Sequence, residues 1–291
     1  MASRASPLEP SKLSKVLVTL TLIALCLPAL LPMAWMVSTS LKTSDEVFAK
    51  HGQGAQTASF LRLIPHVVRW ENYPDALHAV PYLAYLRNTV YLCLVTVIGA
   101  VFSSAVVAYG FARHKFIASG FLFLLMISTM AIPPQVTMIP IFALFKALGW
   151  YDTFLPLTVP AFTGAPFFIF LLTQFFRTLP EELAEAARVD GMNEWSIFCR
   201  IVLPLSKPAL ATCALFQFIG AWNDFLGPLL YLNDPNKYTL AYGLQQFMSK
   251  NGGSWTLLMA GATIFTVPMI LLFFVAQKTF IQGIATTGGR N

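Results

Sequence analysis

Charge is scarce in this sequence. Only 11% of its 291 residues are Asp, Glu, Lys or Arg, while 56% are hydrophobic. A soluble globular domain carries about a quarter charged residues. Less than half that share, with a mean hydropathy of +0.65, reads as an integral membrane protein. Cysteine is sparse too: Cys26, Cys93 and Cys213 fall in apolar segments and Cys199 in a polar loop. No pair has metal-ligand spacing, and there is no disulfide framework. His51, His66, His78 and His114 all lie outside the apolar segments, which weighs against intramembrane metalloproteases and haem-bearing spans. No Gly-x-x-x-x-Gly-Lys-Ser/Thr phosphate loop occurs, so this chain is not itself an ATPase. The net charge of +6 does not call for nucleic acid. In a membrane protein the useful question is where Lys and Arg lie relative to the spans.

Apolar stretches of about 20 residues are found at Val16–Val37, Asn88–Ala112, Ser119–Phe145, Thr153–Phe176, Pro208–Leu232 and Thr256–Ile281. The first is too long for a signal peptide, and Leu31-Pro32-Met33-Ala34-Trp35 is a poor cleavage site. The expected fold class is an all-α integral membrane protein with six transmembrane helices. Arg4, Lys12 and Lys15 precede the first span, and Arg113 with Lys115 separates the second from the third. Arg177, Arg188, Arg200 and Lys207 separate the fourth from the fifth, and Lys278 and Arg290 close the chain. The opposite short loops offer Lys146 on one turn and Lys237 with Lys250 on another. The positive-inside bias therefore places both termini and the 177–207 loop in the cytoplasm. Residues 39–86, with Trp70, Tyr73, Tyr82 and Tyr85, are expected to include interfacial pieces on the outer face.

Prolines are frequent within the spans, which neighbouring helices and hydroxyl side chains make tolerable. Pro133-Pro134 reads either as a simple kink or as a joint in a helix that must move. Span two carries Gly99, Ala100, Ser103, Ser104 and Ala108 at helical spacing, a small-residue face for close helix packing.

Between spans four and five, residues 178–204 read as a helix–turn–helix. Thr178 with Glu181 fits a capping box, with Pro180 acceptable in the first turn. Gly191 can take the left-handed conformation that ends a helix, beside Asp190. Asn193 can cap a second short helix, which Pro204 is expected to stop. Leu183, Ala186, Ala187 and Asp190 share one face at i, i+3, i+4 and i+7, small enough in volume to enter a partner's groove. The bland alternative is an amphipathic helix resting on headgroups. Glu181, Glu182, Glu185, Asp190 and Glu194 oppose anionic lipid, so docking to a protein is favoured.

Glu185-Ala186-Ala187, three residues, Gly191, nine residues, Ile201, one residue and Leu203-Pro204 resemble the "EAA" loop of binding-protein-dependent ABC importer permeases. Trp222-Asn223-Asp224-Phe225, the run Tyr238–Phe247 and the run Gln277–Gly283 resemble the maltose-type carbohydrate permeases, and within them the smaller six-span subunit. The likeness covers roughly Asn88 to Gly283. It implies an N-terminal helix and outer loop over 1–87, a permease core over 88–283 and a cytoplasmic tail over 284–291. It also implies that the loop is a coupling helix in a cleft of an ATP-binding subunit. Glu182, Leu183, Glu185, Ala186, Ala187, Asp190 and Gly191 would then dock it. The implied partners are a homologous sister permease, two ATP-binding subunits that hold the ATP, an extracytoplasmic solute-binding protein, a sugar or oligosaccharide, and inner-membrane lipid. No cofactor or metal is implied for this chain. The tail Thr287-Gly-Gly-Arg-Asn291 departs from the family's usual ending.

Asp224 is the sole acidic residue within a span. A charge at a helix centre costs about 2.5–3.5 kcal/mol, so it should face the bundle interior or water. It either makes an interhelical hydrogen bond or ion pair, or lines the translocation pathway with Trp222, Asn223, Gln217, Gln135 and Thr137. Two other classes fit less well. An intramembrane enzyme needs a catalytic cluster at membrane depth. An ion-coupled secondary transporter favours several intramembrane ionisable groups. A permease for some other small solute stays open.

Overall fold

The structure, a computed structural model, describes residues 12–47, 63–249 and 253–288. Arg4, His51, Lys250 and Arg290, with the end of the expected tail, lie outside the described residues. Those residues form helices joined by turns, with no strand among them. The main helices are α1 (Lys12–Ser40), α2 (Asn72–Ala79), α3 (Tyr82–Arg113), α4 (Ser119–Ser128), α5 (Pro134–Ala147) and α6 (Pro166–Thr178). They continue with α7 (Glu182–Val189), α8 (Glu194–Ile197), α9 (Lys207–Trp222), α10 (Leu226–Tyr231), α11 (Leu240–Ser249) and α12 (Trp255–Gly288).

Among the described residues, four stretches are long and apolar enough to cross a membrane: Leu13–Ser40, Tyr82–Arg113, Leu155–Thr178 and Trp255–Phe274. Two more qualify only as bent pairs, Ser119–Ala131 with Pro134–Ala147 at 96° and Glu194–Leu205 with Lys207–Trp222 at 79°. The expected third span is therefore not a single rod; the 79° bend lies at Ser206, before the expected fifth span, which is itself interrupted after Trp222. In the third, Ile132 and Pro133 are extended, at ψ 116° and 130°, as the residue before a proline tends to be. The fifth stops at Trp222. The ring of Pro228 would collide with the carbonyl of Asp224 in a continuous helix, and α10 resumes only at Leu226.

The described residues fall into two compact units. One comprises residues up to Ala79 together with Phe247–Ile264, the other Val80–Gln246 together with the residues from Phe265. In the first, α1 is apolar and exposed along most of its length, becoming buried only at Ser38–Ser40. Asn72 Nδ2 donates to the carbonyls of Ser40 and Lys42 at 2.8 and 2.9 Å, satisfying groups that a helix end leaves open.

The second unit is built on α3, which packs along α6 and α9. Its small-residue face is buried at Gly99, Ala100, Ser104, Ala105 and Ala108. Between helices in lipid, close van der Waals contact and buried hydrogen bonds replace the hydrophobic effect. Ser104 Oγ accepts from Ala165 N at 2.9 Å, and Ser103 Oγ donates to Ala161 O at 3.2 Å. Phe168, Ile169, Leu172, Thr173 and Phe176 form the buried stripe of α6. Arg113 Nη2 donates to Phe176 O and Leu179 O, both at 2.9 Å, and so caps the end of α6 from the end of α3. Leu240 N, at the start of α11, donates to Thr89 Oγ1 at 2.9 Å. Gly243 follows one turn on, where any Cβ would lie 2.6 Å from the buried ring of Tyr85.

Candidate functional site

The segment after α6 is packed into the second unit on one side and exposed on the other. Ala184, Ala187, Ile197, Phe198 and Val202 are buried in one apolar cluster with Tyr109, Leu172, Phe176 and Cys213. Glu182, Leu183, Glu185, Ala186, Asp190 and Gly191 are exposed. The face expected to dock is therefore divided: Ala187 turns inward beside Ala184. Val189, 88% exposed, is an outward apolar side chain that periodicity did not single out.

The expected capping box does not form. Helix α6 runs through Thr178, whose hydroxyl donates to Phe175 O at 2.7 Å. Glu181 takes the N-cap position of α7 with no side-chain cap. The far end behaves as its residues dictate. Gly191 sits at φ +82°, Gly191 N donates to Arg188 O at 3.0 Å and Met192 N to Ala187 O at 2.9 Å. This pair of bonds is a Schellman motif, which requires a left-handed residue at this position. Asn193 Oδ1 then accepts from Ser196 N at 2.8 Å and caps α8. Pro204, however, does not stop the helix. Residues 198–202 widen into a π-helical turn in which Leu203 N reaches Phe198 O. The wider turn accommodates the proline ring, and the helix runs on to Leu205.

Glu194 joins three elements, a role unforeseen from its place among the loop's acids. Its carboxylate accepts from Arg188 Nε on α7 and from the Tyr109 hydroxyl on α3, both at 2.7 Å. His114 Nε2 lies 3.7 Å away. Arg188 first, then the Tyr109 hydroxyl, hold the Glu194 carboxyl below the ordinary carboxylate range. The contact spans a tight turn and a separate helix, so no spacing rule reveals it.

A second feature lies where the two helix breaks meet the Leu155–Thr158 turn. A cavity of about 360 Å³ is lined by Pro134, Gln135 and Thr137 at the start of α5, by Leu157, and by Asp224 and Gly227 at the start of α10. Asp224 Oδ1 accepts from Gly227 N at 3.0 Å. A Cβ on Gly227 would collide with the Asp224 carboxylate and come within 2.8 Å of Leu157 Cδ2. Of the pathway candidates, the structure brings Gln135, Thr137 and Asp224 together. The others lie elsewhere. Asn223 is exposed, with Nδ2 donating to Ile219 O at 2.8 Å, and Gln217 is half-buried on α9 away from the cavity. Trp222 is packed inside, stacked on Phe218 at 5.6 Å and against Phe265 at 5.5 Å. Its ring fills space between Phe218 and Phe265 and does not line the cavity. No group of three or more His, Cys, Asp or Glu that could hold a metal occurs among the described residues.

Long apolar helices and bent apolar pairs among the described residues mark an integral membrane protein. Residues 100–286 match the family described as the binding-protein-dependent transport system inner membrane component, and the chain belongs to that family. It is 34% identical over 256 residues to the probable ABC transporter permease protein YurM of Bacillus subtilis, covering 88% of this chain and 82% of that one. It is 32% identical over 276 residues to the arabinooligosaccharides transport system permease protein AraQ of the same organism, covering 94% and 95%. Among solved structures, a bacterial ABC transporter that imports the acidic polysaccharide alginate superposes with a TM-score of 0.78 at 24% identity. That match covers 94% of this chain and all of that one and establishes a shared fold.

Proposed function

We propose that this chain is one of two permease subunits enclosing the path of a sugar or oligosaccharide through the inner membrane, and that α7 docks on an ATP-binding subunit. The arabinooligosaccharide relative supports the cargo class. Lysines and arginines at the ends of α3, α6 and α9 support a cytoplasmic position for the loop and both termini. In this reading residues 1–87 supply the first helix and outer loop, 88–283 the permease core and 284–291 the tail. ATP is held by the partner subunits, and a solute-binding protein delivers sugar from outside.

The observation that carries the docking proposal is the two-sided loop. Its inner face is buried in the helix bundle, while Leu183 (45% exposed), Ala186 and Val189 are left uncovered next to Glu182 and Glu185. Small and apolar side chains rimmed by charge suit insertion into a groove. A loop welded to α3, α6 and α9 passes movement of its partner to those helices as rigid-body rotation. Glu185→Lys and Ala186→Trp change only exposed atoms. Both are expected to insert normally, to release the ATP-binding subunit on purification and to abolish uptake. Retention of that subunit and normal uptake in both variants would overturn the docking role.

A further inference from the structure

We infer that the cavity between the two helix breaks accepts an uncharged sugar ring and rejects sugar acids, with Asp224 setting that preference. The inference rests on the reading of this chain as a sugar permease. The fold leaves the question open, since the alginate importer of the same fold handles an acidic polysaccharide.

At about 360 Å³ the cavity lies near the lower end of the range for small-molecule sites, room for about one sugar ring. Its polar side chains are Gln135, Thr137, Asp224 and the phenol of Tyr231, and the rest of its lining is Pro, Leu, Ile, Met and Gly. No Lys or Arg among the described residues lines it. The carboxylate is fixed in place. Gly227 N holds Oδ1 at 3.0 Å, and the missing Cβ of Gly227 leaves the room that the carboxylate occupies. An ionised carboxylate is an acceptor only, whereas a primary amide both donates and accepts. A sugar hydroxyl also does both. It can donate to Asp224 while accepting from Gln135, so a ring bearing several hydroxyls can meet the polar groups without an unmatched partner.

A uronate presents a second acceptor-only anion to the first. Within a cavity of about 360 Å³ the two carboxylates would stand on the order of 6 Å apart. At an effective dielectric of about 20 this disfavours occupancy about 100-fold, before any relief from water or a partner subunit. Discrimination of at least about 10-fold should survive that relief.

The test uses the transport complex, permeases with ATP-binding subunits, in lipid nanodiscs without the solute-binding protein, so that the binding protein's own choice does not enter. Saturation-transfer NMR at pH 7 compares cellobiose with cellobiouronate, each at millimolar concentration. The expected result is saturation of cellobiose and at least about 10-fold weaker saturation of the uronate. Asp224→Asn keeps an oxygen for Gly227 N but removes the charge, and should close the gap mainly by raising the uronate signal. Gln135→Ala should weaken both sugars and leave their ratio unchanged. Equal saturation by the two sugars in the unmutated complex overturns the inference. So does an absence of saturation by either, or an Asp224→Asn ratio unchanged from the parent. If Asp224→Asn fails to assemble, the unmutated complex and Gln135→Ala still decide. Failure of the permease to copurify with an ATP-binding subunit would refute the docking proposal instead, whatever the sugars do.

Discussion

Replacing Glu194 by glutamine takes the charge from a side chain that ties α7 and α8 to the end of α3. Its two short hydrogen bonds differ in worth. Arg188 and Glu194 are 37% and 42% exposed along their side chains, so solvent screening limits that pair to about 0.5–1 kcal/mol. Tyr109 is buried, and a bond from its hydroxyl to a charged acceptor contributes about 1.5–3 kcal/mol. The replacement amide would still accept from that hydroxyl, retaining about half. The variant should thus loosen the junction by about 1.5–2 kcal/mol, which is about 10–30-fold in the equilibrium between latched and unlatched loop. Tyr109→Phe removes the hydroxyl alone and should loosen it by about 1.5–3 kcal/mol.

Both variants leave the exposed docking face untouched, so the ATP-binding subunit should still bind and still hydrolyse ATP. What should fall is the yield of sugar per ATP in proteoliposomes, by about an order of magnitude for Glu194→Gln. Glu194→Asp should restore part of it if the shorter carboxylate still reaches Arg188. The acid limit follows from the depressed carboxyl. Its contribution is complete above the ordinary glutamate value of about 4.3 and is lost as pH falls through the lower folded value. Coupling should therefore be independent of this group between about pH 6 and 8. A parental sugar-to-ATP ratio in both Glu194→Gln and Tyr109→Phe would refute the latch.

Two predictions concern the frame around the site. Asp152, at φ +57°, accepts from Asn233 N and Asp234 N at 3.0 Å each and from Lys237 Nζ at 3.1 Å. The backbone donors of Asp234 and Asn233, and after them Lys237, hold its carboxyl below the ordinary range. This stabilisation is present above about pH 3.9 and is lost as pH falls through the lower folded value. Asp152→Asn, tolerant of the left-handed backbone, should melt less pH-dependently between about pH 5 and 3 in detergent; an unchanged acid profile would disprove the clamp. Gly243→Ala places a Cβ 2.6 Å from a Tyr85 ring that is itself fixed by Gln246 Nε2 at 3.2 Å. We expect a loss of about 1–3 kcal/mol, seen as faster thermal inactivation and partly recovered by adding Tyr85→Leu.

What was legible in the sequence was local. Gly191 and Asn193 announce the turn and cap because each satisfies a backbone need within four residues of itself. The small-residue face of α3 is legible for a similar reason, since period 3.6 is fixed by the helix. Long-range choices were not legible. Thr178 had two available partners, and the end of α6 took its hydroxyl before α7 could. Ala187 shares a helical face with Ala186 only to within one position, and packing against Phe176 and Ile197 decided which of them turned inward. Pro204 could be absorbed because a π turn preceded it, an adjustment with no residue signature. The cavity required two distant breaks to meet, at Pro133 and Asp224, and each proline alone reads as a kink.

Helix α9 bears on how the two features belong together. Its N-terminal end follows the π turn of the loop at Ser206, and its C-terminal end is Trp222, beside the Asn223–Phe225 break. Sixteen residues make a rod about 24 Å long, held along its side by α3. Such a rod does not bend to absorb a push, because Cys213 and Ala209 are buried against α3 and α6. Displacement of the loop must therefore appear either as sliding along α3 or as movement at the break. The small side chains on α3 favour close contact over sliding. At the break the ladder thins to Asn223 N on Ile219 O at 3.2 Å and Asp224 N on Ala221 O at 3.4 Å, and its carboxylate is held by one turn of α10. If α7 docks as proposed, a push on Glu194 is expected to reach the wall of the cavity that Asp224 forms.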